Sequence, residues 1–167
     1  MNAGRIGALV GVAFGCAWAI AGATALHRSW RAWAVGLSIG ISAALVAALA
    51  LSPAPRQSGT FRAPVYGLAV ALEAAGIVMA VWVLKHFSRP QFLLPTIGFI
   101  VGLHFVGLWK ATDLRLFLWT AGAICTLCVL AAFLPDFTAN GGTDVRRVVV
   151  GLGCAFVLWA AGAAVLF

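Results

Sequence analysis

Residues 64–86, PVYGLAVALEAAGIVMAVWVLKH, and residues 91–109, QFLLPTIGFIVGLHFVGLW, decide the fold. Each is an apolar run of about the 20 residues that an α-helix needs to cross a hydrocarbon core. Each also carries one ionisable side chain in its middle, Glu73 in the first and His104 in the second. A charged group at mid-span costs roughly 2.5–3.5 kcal/mol on insertion scales, so such residues usually face a protein interior or a water-filled cavity.

The rest of the chain has the same character. Of 167 residues, 63% are hydrophobic and 9% charged, and the mean hydropathy is +1.07. Soluble domains carry about 25% charged residues, and a soluble core this apolar would have no surface to cover it. The formal charge of +7 does not indicate a nucleic-acid partner. The basic residues form no long run or single-faced patch; they punctuate the apolar segments, as flanking charges at membrane surfaces do.

Six apolar segments follow in order: residues 6–26, 31–51, 64–86, 91–109, 115–134 and 146–167. Charged residues and turn formers separate them, as at Ser88-Arg89-Pro90 and Gly141-Gly142. Trp30, Trp33, Trp82, Trp109 and Trp119 fall near the predicted membrane boundaries, whereas Trp18 and Trp159 lie mid-span. The first segment has signal-like features, with Arg5 ahead of it and Ala21-Gly22-Ala23 at its end. Its apolar run exceeds the roughly 7–15 residues of a signal core, so a retained helix is expected. Orientation is undecided. Alternate connections hold Arg5, Arg56, Arg62, Lys110 and Arg115 against Arg28, Arg31, Lys85, Arg89, Arg146 and Arg147, five against six. This balance is similar to that of dual-topology small multidrug transporters, which also carry one membrane-embedded Glu, although the sequences are not alike.

Small residues indicate how the helices meet, because glycines four apart let backbones approach in lipid. Gly7-Gly11-Gly15, Gly36-Gly40 and Gly98-Gly102 have that spacing and are expected at helix contacts. Val10-Gly11 and Ala21-Gly22-Ala23 recur as Val150-Gly151 and Ala161-Gly162-Ala163. In so Ala/Gly-rich a chain the recurrence carries no expectation.

Glu73 is the one acidic residue inside any of the six segments. Tyr66, Ala69, Gly76 and Ala80 share its helical face, a mostly small surface that leaves room beside the carboxyl. Glu73 and His104 each lie about 15 residues from the Ser88–Arg89 tip, hence at similar depth at about 1.5 Å per residue. A Glu–His pair is therefore available if the two helices pack side by side. It could glue the helices, or exchange protons, since imidazole changes charge near neutral pH; without contact it would do neither. Gly98 and Gly102 lie opposite His104 on the wheel, so both faces are satisfied if this helix is central or if His104 looks into a cavity. Pro95 is expected to kink the helix one turn in.

Two strings have a catalytic look. Gly36-Leu37-Ser38-Ile39-Gly40 matches G-x-S-x-G but lies inside a helix rather than a strand–turn–helix elbow. With His104-Phe105-Val106-Gly107 and Trp30-Arg31 it resembles intramembrane serine proteases of the rhomboid type, which would imply a Ser38/His104 hydrolase. Rhomboids, however, place three helices before the serine helix where this chain has one. Cys125-Thr126-Leu127-Cys128 is similar to the thiol–disulfide pair of vitamin K epoxide reductases, but it lies mid-span with no loop cysteines to serve it. Cys16, Cys125, Cys128 and Cys154 read as packing residues. Residues 100–105, IVGLHF, resemble one helix of small bacterial membrane proteins that have no assigned activity, and no function transfers from them.

The expectation is an all-α polytopic transmembrane helical bundle of six spans, one integral membrane domain over residues 1–167. No metal set or cofactor is expected. The partners are the lipid bilayer and either a second copy or another membrane protein. High Ala, Gly and Arg with two Lys fits a bacterial source with a GC-rich genome, and the expected location is a bacterial inner membrane. Functionally, the leading expectation is a small proton- or cation-handling transporter or channel-like protein using Glu73, His104 and Tyr66. The alternative is a non-catalytic scaffold or partner subunit.

Overall fold

The computed structural model describes residues 3–52, 61–134, 138–139 and 143–166. Among them are six α-helices: α1 (Ala3–Ala23), α2 (Arg28–Leu51), α3 (Ala63–His86), α4 (Leu93–Thr112), α5 (Arg115–Ala132) and α6 (Val145–Ala163). Single 3-10 turns occupy Pro90–Phe92 and Ala164–Leu166. A two-residue antiparallel ladder, β1 (Thr138–Ala139) on β2 (Thr143–Asp144), precedes α6. Helices α2 to α6, α4 taken with the turn before it, are long and apolar enough to cross a membrane, and the described apolar part of α1, Gly7–Ala23, is shorter. The chain is an all-α, multi-pass membrane protein.

Local chemistry sets the helix ends. Pro64 lies in the first turn of α3, where its missing N–H has no intrahelical partner to lose. Ser88 (φ 52°) and Asp113 (φ 59°) take left-handed backbone after α3 and α4. Asp tolerates that region better than most non-glycine residues do. Asp144 caps α6, its Oδ1 accepting from the Arg147 N–H at 3.1 Å. Pro95 is the third residue of α4. There, too, no i−4 hydrogen bond is lost, so the expected kink has no cause.

The backbone gathers into two compact units. The first, Met1–Gly59 with Phe137–Phe167, holds α1, α2 and α6. The second, Thr60–Asp136, holds α3, α4 and α5.

In the first unit α1 and α6 run antiparallel in close contact. A Cβ built on Gly22 would stand 2.8 Å from the Leu152 nitrogen and 3.0 Å from Gly151 Cα, and one built on Gly151 would overlap the Gly22 backbone. Further along, Gly15 lies under the Trp159 indole, where a Cβ would have 2.8 Å, and Gly162 meets Val12. Gly11 faces the Leu158 carbonyl with ordinary clearance, 3.9 Å. The two recurring strings thus lie on one interface, with Gly22 of the first against Gly151 of the second. Helix α2 contributes buried Ser38, Ser42 and Leu49, and the Trp159 indole N–H donates to Ser42 Oγ at 3.1 Å. Trp18 is buried as well, so both mid-span tryptophans belong to this core. Gly7 is half-buried on α1.

The expected packing role of Gly36 and Gly40 needs correction. Both are exposed on α2, and a Cβ added to either meets nothing within 4 Å. The helix instead turns its Ser38–Ser42–Leu49 side to the core. Gly36→Ala and Gly40→Ala should therefore leave the fold intact and stabilise it by about 0.5–1 kcal/mol each, the helix-interior cost of glycine relative to alanine. Denaturation in mixed micelles checks this, and a clear loss of stability at either position would place a helix against that face.

In the second unit α4 packs on both α3 and α5. Gly98, Val101 and Gly102 are buried, and a Cβ on Gly102 would stand 2.7 Å from Cys125 Sγ and 3.1 Å from Ile124 Cγ2. α4 is thus the middle helix of its unit, the arrangement that satisfies its glycine face and its histidine face together.

Candidate functional site

Helices α3 and α4 meet along two short rows of side chains. On α3 these are Tyr66, Ala69, Glu73 and Gly76, three or four residues apart on one face. On α4 they are Ile100, His104 and Gly107. Gly107 closes against Ala69, and a Cβ on Gly76 would lie 3.3 Å from Ile100 Cγ2. Near the shared end of the two helices, the Arg62 N–H donates to the Ala111 carbonyl at 2.9 Å. These contacts keep one antiparallel register, and it brings the two ionisable residues together. Glu73 Oε2 lies 3.1 Å from His104 Nδ1, with side-chain exposures of 17% and 10%.

That separation is short enough for a hydrogen bond, yet the bond geometry is not met at Nδ1. The Coulomb attraction depends mainly on distance, so we read the contact as an electrostatic pair rather than a formed hydrogen bond. The pair is neutral overall either as imidazolium with carboxylate or as imidazole with carboxylic acid. Transfer of one proton across the gap interconverts the two.

Aromatic rings surround the histidine. Tyr66 meets it edge-on at 6.0 Å between centroids and 73°, and Phe61 lies 5.6 Å from Tyr66 in turn. Phe105 meets His104 at 6.1 Å and 87°, and Phe117 lies 6.1 Å beyond. Such edge-on contacts between aromatic rings are favourable and hold ring planes in place. Glu73, His104 and Tyr66 thus form one cluster, with Ala69, Gly76 and Gly107 providing the close helix approach. Nothing in the sequence reading singled out Gly107 as a partner of Ala69. Its position one turn after His104 was the available signal.

No protein-family model, curated protein or solved structure matches this chain.

The other sequence candidates lie elsewhere. Ser38 is buried in the first unit and donates its hydroxyl to the Ala34 carbonyl of its own helix at 2.7 Å. His104, in the second unit, faces Glu73. Cys125 and Cys128 lie inside α5 and are not joined as a disulfide, and the Cys125 thiol contacts the Phe99 carbonyl at 3.7 Å. A groove of about 380 Å³ between α4 and α5, lined by Val106, Leu118, Trp119, Ala121, Gly122 and Cys125, is apolar and does not include the Glu73–His104 pair. Among the described residues no three His, Cys, Asp or Glu side chains converge as a metal-ligand set.

Proposed function

We propose that this chain is a small proton- or cation-handling transporter or channel-like protein, most consistent by composition with a bacterial inner membrane. Glu73 and His104 are its working pair, and Tyr66 orients the imidazole. The observation that carries the reading is the 3.1 Å approach of a carboxylate and an imidazole, both largely shielded, between two helices of membrane-crossing length. Ionisable groups at that depth are expensive and characteristically mark ion or proton paths. The imidazole supplies a group that can take up and release a proton, and the carboxylate supplies the counter-charge for a proton or a cationic solute.

Purified protein in proteoliposomes tests this directly. Proton or cation flux down an imposed gradient should fall to background in Glu73→Gln and His104→Ala, with both variants still inserted and helical. Flux unchanged in either variant removes the proposal.

A second reading, a non-catalytic membrane partner, draws support from the open Gly36–Gly40 face of α2. It requires a stable companion protein on purification. A monodisperse single species that carries flux counts against it.

A further inference from the structure

One end of the first unit gathers its described basic side chains. The Asp144 N–H donates to the Ala25 carbonyl at 3.1 Å, tying the start of α6 to the α1–α2 turn. His27, Arg28, Arg31 and Arg147 are all exposed there. An Arg31 Nη2–H reaches back to the Leu26 carbonyl at 3.4 Å, so its guanidinium is held over the turn instead of trailing along α2. The nearby carboxylate, Asp144, is already engaged, capping the Arg147 N–H at 3.1 Å and standing 4.0 Å from Arg147 Nε. Arg146 is buried beneath this surface, so its side chain belongs to the packing. Trp30 and Trp33, 68% and 79% exposed, stand beside the arginines on α2.

Because α2 and α6 have membrane-crossing length, their first turns lie at the headgroup layer. Exposed tryptophans are characteristic of that layer. The abundant anion at this depth is the lipid phosphate. A planar guanidinium matches phosphate with two parallel hydrogen bonds. A zwitterionic lipid presents its own ammonium beside that phosphate, whereas an anionic lipid leaves the charge uncancelled.

We infer that this end of the first unit, built from Arg28, Arg31 and Arg147 with Trp30 and Trp33 beside them, is a binding surface for the headgroups of anionic phospholipids. It involves none of the residues of the Glu73–His104 reading and stands or falls apart from it.

The test uses the full chain in phosphatidylcholine bilayers, with spin-labelled phosphatidylglycerol or spin-labelled phosphatidylcholine as the probe. The protein should immobilise the phosphatidylglycerol label preferentially, and raising the salt concentration should weaken that preference. Combined Arg28→Gln, Arg31→Gln and Arg147→Gln substitution should reduce the preference by roughly fivefold or more, since each basic group near an anionic membrane surface favours association by about that factor. Lys85→Gln with Arg89→Gln, on the second unit, should preserve most of it. Equal immobilisation of the two labels by the unmodified protein overturns the inference, whatever the fold of the variants. So does a preference that survives the triple substitution or disappears with the Lys85/Arg89 control.

Discussion

Gly151→Leu is expected to disrupt the first three-helix unit. The residue opposite is the Gly22 backbone, and a Cβ on Gly151 would also stand 2.8 Å from the Trp18 carbonyl oxygen. A crowded side chain can rotate away at little cost; a helix backbone cannot. Overpacking in a filled core typically costs 1–3 kcal/mol, and here the upper end, about 3 kcal/mol or more, is expected because backbone faces backbone. Glycine's entropic disadvantage in a helix, about 1 kcal/mol, works in the opposite direction and is too small to compensate. Denaturation in mixed micelles, followed by helicity and by tryptophan emission, should show a large loss of stability. Gly22→Leu should behave alike, and the double variant should fall well short of the summed losses, since either leucine alone already separates the helices. Stability unchanged in both single variants would mean that α1 and α6 do not cross at this point.

The second large effect belongs to Glu73 and His104. Removing one member of a buried ion pair in a soluble core costs 3–5 kcal/mol, whereas polar contacts between membrane helices average about 0.6 kcal/mol, because the unfolded segments find other partners in the bilayer. The short separation and low exposure place this pair between those limits, so Glu73→Ala and His104→Ala should each cost about 2 kcal/mol. The double variant should cost clearly less than their sum, and the shortfall measures the coupling. Purely additive losses would show that the two side chains do not interact. Glu73→Gln separates shape from charge: it keeps the shape of the side chain but not the charge of the pair, so part of the stability loss should remain while flux is lost with the ionisable group. A glutamine variant with normal flux would leave the pair as helix glue.

Most of the architecture was legible because lipid imposes a simple rule, that backbone polar groups must be satisfied within each spanning helix. Runs of apolar residues between Pro, Gly and charge therefore mark the helices to within a few residues. The depth match of Glu73 and His104 could be read from a count along a hairpin. Their approach could not, since it depends on the Ala69–Gly107 and Gly76–Ile100 contacts that set the α3–α4 register. Glycine spacing alone misled at Gly36 and Gly40, because a four-residue repeat shows which residues share a face but not whether a helix lies against it. Conversely, Gly22 and Gly151 lie outside any four-residue glycine pair and form the tightest crossing in the first unit. Gly22 to Gly151 is a contact between distant ends of the chain, and no local window contains it.

The middle position of α4 has a mechanical consequence. One side of the helix carries His104 and Gly107 toward α3, and another is seated by Gly102 against Cys125 and Ile124 of α5. A change of charge state that draws His104 toward Glu73 or releases it cannot turn α4 without shearing the Gly102 seat. The helix is therefore clamped from both sides, and rotation about its own axis is opposed at the Gly102 seat as well as at the histidine contact.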